Sequence, residues 1–219
     1  MQPKLIIFDF DGTLANTTAT ILATYQMAIG EMGAARRTDA ECQATIGLPL
    51  KEGFRQLYPD FSEVQLDNCV ATYRRIFNEN KHQLVPNLYP GVKQSLDELS
   101  KLGIQMSIAS SRSRESLIEF CTNTGILDYF SLILGADDVA HAKPNPEPVL
   151  KTLDELKKDA EQTIVVGDMP VDIEMGRGAD CRTVGVTFGN SSREELVKAG
   201  ASFIIDSFTE LIPKVVFEK

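Results

Sequence analysis

The chain has 219 residues, 43% hydrophobic and 24% charged, with a formal net charge of -9. That is enough to bury the core of one domain with a large insert or of two small domains, and it excludes disordered, collagen-like and fibrous chains. The acidic balance argues against nucleic acid or an anionic membrane as partner, since both reward a basic face.

The N-terminus Met1-Gln2-Pro3-Lys4 lacks the apolar stretch of a signal peptide, and no apolar run approaches bilayer length, so a cytoplasmic enzyme is expected. Lys4 to Phe8 is a short, mostly apolar run with two β-branched residues and reads as a buried strand. A helix follows from about Thr17, with Ile21, Leu22, Tyr25, Ile29 and Met32 on one apolar stripe. Leu66, Val70, Tyr73 and Phe77 repeat at helical spacing, with Ser62 as N-cap and Gln65 three residues on. No strand pattern interrupts this stretch, so residues 16–84 are expected to be all-helical. Val85 to Pro90, with two prolines, reads as a connector.

After Gly91 the pattern alternates. A helix to about Leu102 stops at Gly103, a strand spans Ile104 to Ala109, and a helix runs from Arg114 to about Thr124. Leu132 to Leu134 is strand-like, Pro146 to Lys157 a helix, Thr163 to Val166 a strand, Val171 to Ala179 a helix and Thr183 to Val186 a strand. A short helix near Glu194, a strand at Phe203 to Ile205 and a helix from Phe208 end the chain. Apolar strands alternating with helices predict an α/β fold, a Rossmann-like parallel sheet covered on both faces. The N-terminal strand joins that sheet, so residues 1–15 and 85–219 form the core and residues 16–84 an insertion.

The four cysteines, Cys42, Cys69, Cys121 and Cys181, are isolated and read as reduced thiols acting as small core residues. His82 and His141 are too few and too distant for a histidine metal site or a histidine-dependent triad.

In sheets of this kind ligands sit at the carboxyl ends of the strands. The first strand runs into Asp9-Phe10-Asp11-Gly12-Thr13-Leu14, and the second expected strand of the sheet into Ser110-Ser111-Arg112. Lys143 follows the third, and the fourth ends in Gly167-Asp168 with Asp172 four residues on. Phosphoryl transfer needs this set. Asp9 and Asp11 can face one side while Phe10 packs inward. Crowding them with Asp168 is costly unless a hard divalent cation neutralises them, and magnesium suits oxygen ligands. Lys143 adds positive charge, and Ser110 and the loop amides around Ser111 donate to phosphoryl oxygens. Gly12 lets the backbone turn tightly against the ligand. Asp11 can protonate a leaving alkoxide and then deprotonate the attacking water.

Asp9-x-Asp11-Gly12-Thr13-Leu14, Ser110, Lys143-Pro144 and Gly167-Asp168-x-x-x-Asp172 resemble, in order and spacing, the four motifs of the haloacid dehalogenase superfamily. The insert resembles that superfamily's helical cap. Ile46-Gly47-Leu48-Pro49-Leu50, Tyr89-Pro90-Gly91-Val92 and Lys143-Pro144-Asn145-Pro146 are similar to phosphoglycolate-phosphatase-like members. Ser110-Ser111-Arg112 departs from the threonine, asparagine and lysine usual there. The resemblance implies Asp9 as nucleophile and Asp11 as acid/base. It also implies magnesium on Asp9, the Asp11 carbonyl and Asp168 with Asp172 in support, and phosphate held by Ser110 and Lys143.

The expected activity is magnesium-dependent hydrolysis of a small phosphorylated metabolite through an aspartyl-phosphate. Phosphoglycolate, a sugar phosphate, a nucleoside monophosphate and pyrophosphate all stay open, as does a monomer or homodimer. A β-phosphoglucomutase-like phosphomutase is the alternative on the same scaffold, and a non-catalytic phosphate-binding protein a further one. Arg112 and Arg114 are expected at the surface or a helix start, and Lys51, Arg55, Arg74 and Arg75 on a solvated face. The turn Gly47-Leu48-Pro49 is expected over the site, and Tyr73 and His82 in structural roles.

Overall fold

The computed structural model describes residues 2–80 and 86–217; Val85 and His82 lie outside the described residues. In chain order the elements are β1 (Leu5–Phe8), β2 (Ala15–Asn16), α1 (Thr18–Glu31), α2 (Asp39–Gln43), α3 (Leu50–Leu57), α4 (Glu63–Asn80), β3 (Asn87–Leu88), α5 (Val92–Lys101) and β4 (Gln105–Ala109). Then come α6 (Arg114–Thr124), β5 (Leu132–Leu134), α7 (Glu147–Leu156), β6 (Thr163–Gly167), α8 (Pro170–Gly178), β7 (Arg182–Val186), α9 (Arg193–Ala199) and β8 (Phe203–Ile205).

Six strands form the expected parallel sheet in the order β5-β4-β1-β6-β7-β8. The chain builds β1, β4 and β5 to one side, then returns across β1 to lay down β6, β7 and β8. The order therefore reverses beside β1, where such folds open a crevice at the carboxyl edge. Register makes that edge level: Phe8 lies opposite Ile108 on one side and Val166 on the other.

The alternation of β1 divides the core. Ile6 and Phe8 join the cluster that includes Leu96 of α5 and Leu117 and Phe120 of α6, while Leu5 and Ile7 pack with Val149 of α7 and Met175 of α8. All four are fully buried, which explains an apolar run with no polar alternation. Phe10, just past the strand, stacks on Phe120 with centroids 6.0 Å apart and anchors the loop between Asp9 and Asp11. The four cysteines are buried and free.

Helices α1 to α4 have their own apolar cluster, including Ile21, Tyr25, Ile29, Phe54 and Leu66. The Ser62 and Gln65 cap forms: Ser62 N–H donates to Gln65 Oε1 at 2.9 Å, and Gln65 N–H to Ser62 Oγ at 3.4 Å. One expectation needs correcting. The connector carries strand: Asn87–Leu88 pairs antiparallel with Ala15–Asn16, tying the two ends of the helical insert into one ribbon. The C-terminal helix expected from Phe208 forms as a composite, a 3-10 turn at Phe208–Glu210 running through residues 211–212 into a π-turn at Pro213–Phe217. Pro213 supplies no backbone donor to continue a regular helix there. No described helix is long and apolar enough to cross a membrane.

Candidate active site

Asp9 extends β1 by one ladder bond, its N–H donating to the Val166 carbonyl at 2.9 Å. That bond sets its carboxylate beside the end of β6, where Gly167 leads into Asp168. Asp168 and Asp172 flank the start of α8. Oxygens of Asp9, Asp168 and Asp172 all come within 4.8 Å of one another, and the three residues are buried.

Lys143 enters this group from the loop after β5, on the far side of a cis Lys143-Pro144 bond. Its Nζ donates to Asp9 Oδ1 at 2.7 Å and to Asp172 Oδ1 at 2.6 Å. Asp172 uses its second oxygen to accept from the Met169 N–H at 3.0 Å, so it caps α8 and pairs with the lysine at once. Burial pushes the Asp9 carboxyl up to about 7, with the charges of Asp172 and Asp11 adding to the effect and Lys143 opposing it. Asp168 is also raised, by burial first and then by Asp172 and Asp9. Burial works against the Lys143 ammonium, but Asp172 and Asp9 outweigh it and hold the lysine charged.

Three carboxylates against one ammonium leave two negative charges uncompensated in a dry site. A hard divalent cation with oxygen ligands offsets that imbalance, so Asp9, Asp168 and Asp172 could hold a metal ion.

Asp168 is the most tightly framed of the acids. Its Oδ2 accepts from the Asn190 backbone N–H at 2.8 Å and from Asn190 Nδ2 at 2.9 Å, and its Oδ1 from Thr13 Oγ1 at 3.3 Å. Gly12, at φ +81°, closes the nest from the other side: a Cβ there would lie 2.2 Å from Asp168 Oδ2. Gly12 is thus required by its conformation and by its contact with Asp168.

A cavity of about 400 Å³ opens beside these acids, between the sheet edge and the helical insert. Asp9, Asp11, Ser110 and Ser111 line it from the core, and Gly47, Leu48 and Tyr73 from the insert. Gly12, Lys143, Asp168 and Asp172 stand behind this lining; Lys143 instead borders a second cleft, against Leu48 and Pro49. The Ser111 hydroxyl donates to the Gly47 carbonyl at 2.6 Å, which brings the Gly47-Leu48-Pro49 turn over the sheet edge. The Ser110 N–H donates to the Leu134 carbonyl at 3.1 Å, and its Oγ accepts from the Arg112 N–H at 3.4 Å.

Arg112 is the main departure from expectation. It is neither at the surface nor a helix-start residue: its side chain is 11% exposed, and it forks onto Asp11. Nε donates to Asp11 Oδ2 at 3.1 Å and Nη2 to Oδ1 at 2.7 Å. The guanidinium lies 4.8 Å from the Phe120 ring and 5.3 Å from the Phe77 ring of α4, so it spans core and insert. On the insert, Lys51 pairs with Glu63 and Asp67, Arg55 with Glu52 and Glu63, and Arg75 with Glu31 and Glu79, all at the surface. Arg74 differs, since it lines the cavity. Thr13 enters the sequence reading only as part of the first motif, with no role, and Asn190 does not enter it. Asn190 lies in the loop after β7, and a polar residue beyond a strand end is the sequence signal that marks it.

A model of the haloacid dehalogenase-like hydrolase family matches residues 6–186. The chain is similar to the "Probable phosphatase IndB" of Dickeya dadantii, 34% identical over 214 residues, covering 97% of this chain and 93% of that protein. It is likewise similar to the pyrophosphatase PpaX of Anoxybacillus flavithermus, 30% identical over 212 residues, 97% of this chain and 96% of that one. A haloacid dehalogenase-like protein of Bacteroides fragilis has a solved structure that superposes with a TM-score of 0.92 at 30% identity. The match covers 96% of this chain and 100% of that one.

Proposed function

The chain belongs to the haloacid dehalogenase-like hydrolases and is a phosphatase among them, and from that premise we propose that it is magnesium-dependent, working through an aspartyl-phosphate on Asp9. The observation that carries this reading is the Asp9–Lys143–Asp172 chain of hydrogen bonds, closed by Asp168 and set behind the wall of the cavity that Asp9 and Asp11 line.

In this reading Asp9 attacks phosphorus and forms the acyl phosphate, while Asp11 gives a proton to the departing oxygen. Asp11 then takes a proton from the water that attacks phosphorus, releasing inorganic phosphate and restoring Asp9. Asp9, the Asp11 carbonyl and Asp168, with Asp172 in support, would hold magnesium, which would supply positive charge to keep the acids ionised and screen the anionic phosphate. Lys143 fixes the Asp9 carboxylate and adds its own charge. Ser110 and the amides through Ser111 donate to the phosphoryl oxygens, and Gly12 gives Asp168 room. Residues 16–84 act as a cap over the core made by residues 1–15 and 85–219, limiting water at the reacting centre.

The substrate is a small phosphorylated metabolite. Pyrophosphate is supported by the likeness to PpaX proteins and phosphoglycolate by the motif resemblance. A phosphomutase would retain the phosphate and return it, so release of inorganic phosphate separates the two. The test is phosphate release from p-nitrophenyl phosphate and a metabolite panel, with magnesium or with chelator. Turnover should vanish in chelator and in Asp9→Asn; equal rates in that variant would overturn the reading.

A further inference from the structure

Asn190 touches both halves of the molecule. It lies in the loop after β7, partly buried, and its amide is used at both ends. On the core side its backbone N–H and Nδ2 both donate to Oδ2 of Asp168, at 2.8 and 2.9 Å. On the other side Oδ1 accepts from Thr18 Oγ1 at 3.0 Å and from Gln43 Nε2 at 3.4 Å. Thr18 opens α1, where the chain leaves the β2–β3 ribbon, and Gln43 closes α2 within the insert.

The amide's orientation follows from its partners. A carboxylate oxygen can only accept, so the nitrogen must face Asp168, and the oxygen is left to face the two donors from the insert. The nest allows little slack. A Cβ at Gly189 would meet Asp168 Cβ at 2.3 Å, and one at Gly12 would meet Asn190 Nδ2 at 2.5 Å. Two donors saturate Oδ2 of Asp168, which leaves Oδ1, with its single long contact from Thr13, as the oxygen to face a cation.

We propose that Asn190 is a positioning residue that couples the helical insert to the metal ligand Asp168, with Thr18 and Gln43 as its contacts on the insert. This rests on the reading of Asp168 as a magnesium ligand. Hydrogen bonds to a ligating carboxylate orient it and tune its affinity. The Thr18 and Gln43 donors hold the Asn190 side chain in the rotamer that serves Asp168. Without those two donors the amide is free to turn. By linkage, whatever the insert contributes to cation affinity the bound cation returns as stability of the insert's contacts.

The experiment uses the full chain, magnesium alone and no substrate. Binding is measured calorimetrically, and amide hydrogen exchange is followed in α2. Asn190→Ala should weaken magnesium binding by on the order of 10- to 100-fold. Thr18→Val with Gln43→Leu removes both insert-side donors while leaving every acid in place, and should weaken binding by roughly three- to tenfold. In the Asn190→Ala background that pair should add nothing. Magnesium should slow exchange in α2 of the wild type and leave it unchanged in Asn190→Ala.

Wild-type magnesium affinity in the Thr18→Val/Gln43→Leu variant would overturn the coupling, as would an undiminished effect of that pair without Asn190. In either case wild-type binding of magnesium leaves the metal reading standing. A wild-type chain that binds no magnesium overturns both.

Discussion

Replacing Lys143 by methionine keeps the unbranched stem and removes the ammonium that joins Asp9 to Asp172. Each of its two hydrogen bonds, 2.7 and 2.6 Å long, is charge-assisted and buried, worth about 1.5–3 kcal/mol on its own. Breaking a buried ion pair by deleting one partner costs about 3–5 kcal/mol, because the charge left behind has lost both water and counterion. Here two partners are left, and Asp168 adds a third acid. The acids can escape by taking up protons, however, so the loss depends on pH. Asp9 is already held up to about 7 with the lysine present, and without it the carboxyl rises further. The folded variant then binds protons that the unfolded chain has released, so its stability falls as pH rises, by about 1.4 kcal/mol per pH unit for each such proton. Denaturant unfolding in chelator at pH 6 and pH 8, followed by circular dichroism, should show a deficit of about 3–5 kcal/mol at pH 8 and a clearly smaller one at pH 6. Magnesium should recover part of it. A deficit below about 1 kcal/mol at pH 8, or one equal at the two pH values, would refute the role of Lys143 as counter-charge to these acids.

The same electrostatics govern the wild type. Because Asp9 and Asp168 are raised by burial, the metal-free protein should lose stability as pH rises from 5 towards 8, and magnesium at about 100 times its Kd should restore about 2.7 kcal/mol at the upper end. In thermal melts that is an upshift of about 5–10 °C at pH 8 and less at pH 5.5; an upshift independent of pH would count against the acid cluster as the site. Arg112→Met should cut kcat by roughly 10- to 100-fold, since the fork that aims Asp11 is lost and small misplacements of a reacting group are expensive. Arg112→Lys should fall between, keeping the charge without the planar fork. A wild-type kcat in Arg112→Met would show that Asp11 needs no such support.

What could be read from the sequence followed from burial. Leu5 to Phe8 and Thr163 to Gly167 are buried at every position, and short apolar runs between turn residues are how such strands read. Because those strands are parallel and in register, the residues after them share one edge, and the sequence alone brings Asp9, Ser110 and Asp168 together. What stayed hidden depends on partners far away in the chain. Arg112 is largely withdrawn from solvent because Asp11, 101 residues earlier, and Phe77, in the insert, close around it; next to two serines it reads as a surface residue. Asn190 carries no motif of its own in the sequence, and its meaning lies in contacts to residues 18, 43 and 168. The β2–β3 ribbon has two residues per strand, too few for any period to show.

The central claim is that phosphate passes through Asp9. With a phosphorylated substrate and magnesium, rapid acid quench followed by borohydride reduction converts an aspartyl-phosphate to homoserine, which peptide mass spectrometry can place. Homoserine is expected at position 9, formed within the first turnover and absent in Asp9→Asn. Homoserine at another acid, or turnover with no reducible acyl phosphate at any time point, would contradict it.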